Sequence, residues 1–436
     1  MISEAELAAF HATMGRLRAL PADDPVRLQA ERVAESFARE GRQRRKKVRT
    51  VERARADAAV DAATATGAVD RREDAPLAPA AGEQRALARS RRCYVCKEPY
   101  QLADAFYHRL CPSCARENAE RRNARTDLRG RRALLTGGRV KIGFQLASMM
   151  LRDGASLLVT TRFPSDARRR FEQAPGSAEW LDRLTVVGID LRDPRQVLGL
   201  AEDLRADGRP LDVLVNNAAQ TVRRPPEAYA ALIAGETGPS AALTAPGFTP
   251  MLAVGHNPGA LALASLDEAG LLPDTAPANS WSALLGELDA AEVLETQLVN
   301  ALAPTLLCDR LLPLLLASPH PRRYVVNVSA VEGRFAVRNK TSGHPHTNMA
   351  KAALNMLTRT SGPELAEQGV YMCSVDTGWI TDENPAPKKA RLAGSGFRTP
   401  LDVVDGAARV YDPIVRGEAG EPVAGVFLKD YREAAW

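Results

Sequence analysis

Two pairs of cysteines, Cys93-Tyr-Val-Cys96 and Cys111-Pro-Ser-Cys114, stand fourteen residues apart. Thiolates on two such knuckles reach the four corners of a tetrahedron, the donor set of a structural Zn²⁺ site with no open position for catalysis. His108, between the pairs, is an alternative ligand. A second run able to do chemistry is Thr136-Gly-Gly-Arg-Val-Lys-Ile-Gly143, which follows an apolar stretch and opens a helical pattern at Phe144. Glycines let the backbone turn tightly against a pyrophosphate, whose charge then rests on the helix N-terminus. Two of the six histidines, His344 and His346, fall within seven residues of Lys351. Imidazole is the side chain that exchanges protons near neutral pH.

The elements that must hold these groups follow from texture along the chain. The 436 residues, 45% hydrophobic, exceed one average domain and exclude a disordered tail or a disulfide mini-protein as the whole. In residues 1–60, Leu7, Phe10, Met14, Leu17, Val33 and Phe37 are spaced for amphipathic helices, which Pro21 and Pro25 separate. Within Arg39 to Arg55 nine of seventeen side chains are basic, so residues 1–130 carry +7 and the remainder −2. This asymmetry permits an anionic partner for the N-terminal part. Residues 61–90 lack periodicity and read as a linker, 91–122 as a compact zinc-ribbon-like module.

From 130 to 430, short Val/Leu/Ile runs alternate with helical patterns, the texture of a parallel α/β sheet. Strands are expected at 132–136, 156–161, 185–189, 213–216, 323–327, 370–375 and 425–428, about seven in a doubly wound sheet. Residues 220–287 are far too long for a βα connection and read as a lid or insertion over the site. The apolar window 298–317 is broken by Asp309, Arg310 and two prolines, so a buried helix is expected and no membrane partner. Paired cysteines and the lack of a leader-like N-terminus suit a reducing, cytoplasmic setting.

Further words fall in order: Asp190 after the third strand, Asn216-Asn-Ala-Ala219 after the fourth, Asn327-Val-Ser329 ending the fifth, Lys351 on the next helix. Over roughly residues 130–430 this set resembles the short-chain dehydrogenase/reductase family. The resemblance implies a Rossmann fold, with Gly137 and Gly143 in the family's TGxxxGxG turn, Asp190 facing adenine, and Asn216 and Ala218 bordering the adenosine ribose. It implies Asn300 as the asparagine of the proton relay, Ser329 as the serine orienting a substrate carbonyl, and Lys351 as the lysine holding the nicotinamide ribose. Thr381 is the nearest match, one residue early, to the threonine beside the carboxamide.

Two departures stand out. Lys141 replaces the middle glycine of the turn, and Thr347 occupies the place of the tyrosine in the YxxxK motif. An aliphatic hydroxyl is far too weak an acid to replace a phenol, so the flanking His346 and His344 are the candidate proton donors. The strand ending Thr160-Thr-Arg162 carries no acid for a ribose 2′-hydroxyl, whereas Arg139, Lys141 and Arg162 suit a 2′-phosphate, favouring NADP(H) over NAD(H). The first reading is an NADP(H)-dependent oxidoreductase of unknown substrate with a nonstandard acid. The second is a nucleotide-binding regulator that has lost chemistry, its zinc module docking a protein partner. The third is an N-terminal nucleic-acid binder on a metabolic domain, disfavoured because only the basic run at 39–55 supports it. Self-association is left open.

Overall fold

The computed structural model describes residues 2–78, 82–236, 242–251, 266–337 and 340–436. The segment β1 (Arg85–Arg92) pairs antiparallel with β2 (Pro99–Ala103) to form the ribbon of the cysteine module. The main sheet contains β3 (Arg132–Thr136), β4 (Ser156–Thr161), β5 (Leu184–Gly188), β6 (Val213–Asn216), β7 (Leu243–Thr244), β8 (Arg323–Ser329), β9 (Val370–Asp376), β10 (Phe427–Lys429) and β11 (Arg432–Ala434). Their spatial order is β11-β10-β9-β8-β6-β3-β4-β5-β7. The chain reverses its winding between β3 and β6, and a crevice opens there beyond the strand ends.

Central strands such as β3 and β8 are buried on every residue, as a sheet covered on both faces requires. One face packs against the helices Lys141–Arg152 and Val403–Glu418 through Leu146, Met150, Val410 and Ile414. The other packs against Pro194–Asp207 and Ala303–Leu316 through Val197, Leu200, Leu307 and Leu311. The apolar window is thus a core helix: the continuous segment Ala290–Leu316 is the one described helix long and apolar enough to cross a membrane, and 56% of its most apolar window is buried.

Three expectations need correction. Among the described residues the sheet has nine strands and is mixed, because β11 returns antiparallel to β10. A two-residue turn with Asp430 and Tyr431 both at positive φ makes that hairpin, the backbone such tight turns favour. The short β7, inside the expected insertion, caps the other edge by pairing with β5. Residues 61–90 are not a free linker: the helix Pro25–Ala62 runs into them, and Arg71 donates to the carbonyls of Thr399 and Leu401, both at 2.6 Å. The cysteine module is not separate either, since Leu87, Tyr107 and Leu110 share one core with Ile380, Leu401 and Val403. Parts of the 220–287 insertion, 237–241 and 252–265, lie outside the described residues.

Candidate functional site

Beyond the strand ends lies a cavity of about 1080 Å³, above the usual upper size of a small-ligand pocket. At its floor Gly137 has φ +69°, and a Cβ there would sit 2.9 Å from Ala218; a Cβ on Gly143 would meet the Gly137 carbonyl oxygen at 2.2 Å. Only glycine fits this cradle, which fits an approaching diphosphate. Asn217 fixes its far side by donating from Nδ2 to the carbonyls of Thr136 and Gly137, both at 3.0 Å. Asn216 does not border the cavity: its amide donates to Asn327 Oδ1 at 2.8 Å and ties β6 to β8. The last residue of a strand pointed into the sheet, and its neighbours Asn217 and Ala218 face the crevice instead.

The basic groups of the turn are already partnered. Arg139 Nη1 reaches Asp166 at 2.6 Å, and Lys141 Nζ reaches Asp74 at 2.9 Å and Glu383 at 3.9 Å. Burial depresses Lys141, but Glu383 and Asp74 outweigh it and hold the ammonium above its usual range. Arg162 is different. Its guanidinium lies 5.0 Å from the Tyr229 ring and 5.7 Å from Phe163, and among the described residues it has no carboxylate within ion-pair distance. Asp190 lines the same end, and although burial opposes it, the bond to Arg192 at 2.5 Å holds its carboxyl below the usual range.

At the other end Ser329 donates to Asn355 Oδ1 at 2.6 Å, and Lys351 Nζ donates to the Val328 carbonyl at 2.8 Å. Burial pushes the Lys351 ammonium down to about 8, with Glu332 opposing. Thr347 Oγ1 is buried without a hydrogen-bond partner and borders the cavity. His344 also borders it, held at φ +44° with its ring stacked on Trp281 at 3.9 Å and 4°. Its Nδ1 is 2.8 Å from the Trp281 carbonyl, which only accepts, so Nδ1 carries the hydrogen and Nε2 is left for other work. His346 is fully buried off the cavity; neither ring nitrogen has a hydrogen-bond partner, Nε2 lies 3.9 Å from Glu292, and burial lowers its basicity despite that carboxylate. The two histidines are therefore separated by the helix turn: one faces the crevice, the other the packing.

Asn300 sits in a π turn, Leu298–Leu302, and spends both amide groups on the backbone of Gln220, at 2.7 and 2.9 Å. It fixes the chain leaving β6 and does not touch Lys351. Thr381 borders the cavity but donates to Glu383 at 2.7 Å. Described parts of the insertion cover both ends of the cavity: Tyr229 packs on Phe163 beside Arg162, and Trp281 on His344 at the other end. Tyr229 is thereby removed as a phenol for the chemistry.

The four Sγ atoms of Cys93, Cys96, Cys111 and Cys114 lie within 4.8 Å of one another, with Cys96 and Cys111 at 3.7 Å. A ZnS₄ tetrahedron has S···S edges of about 3.8 Å, so the donor set fits zinc. His108 is no ligand. It is 2.8 Å from Thr66 Oγ1, and burial pushes it down to about 3. The cysteine module also reaches the cavity: Tyr94, between the first two cysteines, lines it and accepts from the Trp379 N–H at 2.9 Å. Residue types alone did not reveal Tyr94, Trp281, Asp74 or Glu332, whose carboxyl burial raises. Glu332 had a signal, an acid three residues past Ser329; the other three reach the cavity from distant segments.

The sequence pattern of the short chain dehydrogenase family matches residues 131–231. An uncharacterized protein of Acanthamoeba polyphaga mimivirus is 31% identical over 342 residues, 74% of this chain and 71% of that one. A short chain dehydrogenase/reductase of Colletotrichum higginsianum is 28% identical over 267 residues, 59% of this chain and 96% of that one. Among solved structures, a short chain dehydrogenase from Burkholderia cenocepacia J2315 in complex with NADP is similar at 22% identity and a TM-score of 0.47, covering 70% of this chain and 97% of that one. The chain belongs to the short-chain dehydrogenase/reductase family, a family of oxidoreductases.

Proposed function

We propose that this protein is an NADP(H)-dependent oxidoreductase acting on a carbonyl, hydroxyl or enoyl substrate, with His344 in the place of the family's tyrosine. The observation that carries the reading is the grouping of Ser329, Lys351 and His344 on one end of a cavity whose other end holds the glycine cradle and Arg162. When bound, the nicotinamide supplies or accepts the hydride. Ser329 orients the substrate oxygen, Lys351 holds the cofactor ribose, and His344 moves the proton at that oxygen through Nε2. Glu332 borders the same end. The four-cysteine site holds a structural Zn²⁺ that carries no step of the reaction.

The discriminating experiment is a screen of aldehydes, ketones and enoyl compounds with NADPH, alongside titration of NADPH and NADH. NADPH binds tighter, and Arg162→Ala costs it at least about tenfold while sparing NADH, because a charge-assisted bond to phosphate is worth roughly 1.5–3 kcal/mol. Equal affinities for the two nucleotides in the unmutated protein contradict the cofactor assignment. A protein that binds NADPH tightly yet reduces nothing in the screen is the regulator instead.

Asp74 gives a second prediction. It sits at φ +65° beside the glycine turn, one oxygen on Lys141 and the other buried without a partner. A carboxylate there repels a diphosphate and occupies the cation that would meet it. Asp74→Asn raises NADPH affinity on the order of tenfold, as expected for removing one like charge at close range in an intermediate dielectric. Unchanged or weaker binding in calorimetry shows that the clasp does not oppose the nucleotide.

A further inference from the structure

The helix Pro25–Ala62 is the longest described element, and the cavity makes no use of it. Its C-terminal end is fixed: Asp57 is buried and accepts from the Ala88 N–H at 2.7 Å, and Asp61 pairs with Arg91 at 2.6 Å. The basic run therefore projects from an anchored base. Its nine cations, Arg39 to Arg55, are all exposed, and among the described residues none has a carboxylate within ion-pair distance. Elsewhere the protein neutralises its arginines carefully, Arg121 on Asp412 and Arg139 on Asp166 among them. Seven net positive charges on roughly 25 Å of helix repel one another in the absence of an anion.

The placement of the charge selects the partner. At 100° per residue, Arg39, Arg42, Arg45, Lys46, Arg49 and Arg53 share an arc of about 120°. The exposed Val33, Phe37, Val48 and Val51 lie on the opposite side. A helix lying on lipid needs its cations flanking its apolar stripe; here a buried stripe would turn the basic face away from the headgroups. No aromatic residue lies on the basic face, so stacking of single-stranded bases has no platform. A straight helix fits the major groove of B-form DNA, whereas the deep, narrow major groove of an A-form helix excludes it.

We propose that the basic face of Pro25–Ala62 is a docking surface for the phosphate backbone of double-stranded DNA. Binding is electrostatic and indifferent to sequence, and it leaves the cavity free.

The test is fluorescence anisotropy of the full-length protein with a labelled mixed-sequence 24-base-pair duplex between 50 and 200 mM KCl. Six phosphate contacts predict that log K falls with log salt at a slope of about −5. The combined change Arg42→Gln, Arg45→Gln, Arg49→Gln and Arg53→Gln, which keeps good helix formers, weakens binding at 50 mM KCl at least tenfold and flattens the slope by about 3 to 4. Arg44→Gln with Arg55→Gln, on the other side of the helix, changes affinity less than about threefold. Equal effects of the two sets overturn the assignment of the face. Absence of duplex binding at 50 mM KCl overturns the proposal outright. Tighter retention on phosphatidylserine vesicles, or tighter binding of a single-stranded RNA of equal length, overturns the identity of the partner.

Discussion

His344→Ala abolishes turnover, lowering kcat by about a hundredfold or more, the usual contribution of a positioned acid or base. His346→Ala leaves kcat within a few fold, because that ring is sealed away from the cavity and changes only packing. Thr347→Tyr added to His344→Ala restores turnover, since it returns a phenol to the position beside Lys351. The pH profile gives an independent reading. Lys351 folds with an ammonium depressed to about 8 by burial. Its charge is present below that value and lost as pH rises through it, so kcat/KM declines on an alkaline limb near 8. Full activity in His344→Ala dismisses imidazole as the proton donor, whatever the other variants do.

Cys96→Ser yields protein without zinc, and the loss extends well past the cysteine module. A structural zinc contributes on the order of 10 kcal/mol, comparable with the net stability of a whole domain. The module cannot unfold alone. Its Arg122 reaches Asp402 and, at 3.1 Å, Asp405, its Arg121 reaches Asp412 at 2.6 Å, and Tyr107 donates to Asp405 at 2.6 Å. All three carboxylates are buried, and stripping the partner from such a group costs roughly 3–5 kcal/mol. Calorimetry of the native protein thus gives one unfolding transition for module and sheet, and the variant melts far lower with weakened NADPH binding. Two separate transitions, the upper one unshifted in Cys96→Ser, show the module to be independent.

What the sequence made legible follows from the range over which each signal acts. Six of the seven expected strands are apolar runs whose burial on both faces is written in their own residues, and their ends came out within one or two positions; the seventh, expected at 425–428, is the three-residue β10, read from its apolar residues and not from any period. The glycine turn and the cysteine knuckles are likewise local: φ +69° at Gly137 and four clustered thiols need only their neighbours. By contrast β7 is two residues long and β11 three, too short for any period to register. Residues 61–90 looked like a linker because their order comes from without, through Arg71 and the Leu77 N–H bonded to Asp402 at 2.9 Å. The same limit applies to the site. Sequence spacing put both histidines near Lys351, but only packing separates one from the other. Asn216 carries the motif, yet the pleat turns it inward and gives the crevice to Asn217.

The bonds that tie Arg71 to the backbone near the C-terminal end join residues as much as 330 positions apart. A nascent chain meets that fact as a delay. The cysteine module leaves the ribosome early, but Tyr107 and Leu110 stay uncovered until Leu401 and Val403 have been made. At 5–20 residues per second that exposure lasts roughly 15–60 s. Throughout that time the half-built protein presents a sticky apolar face and an unmatched set of arginines. Chaperone demand during synthesis, rather than equilibrium stability, is then the quantity that truncation of the last few dozen residues changes most.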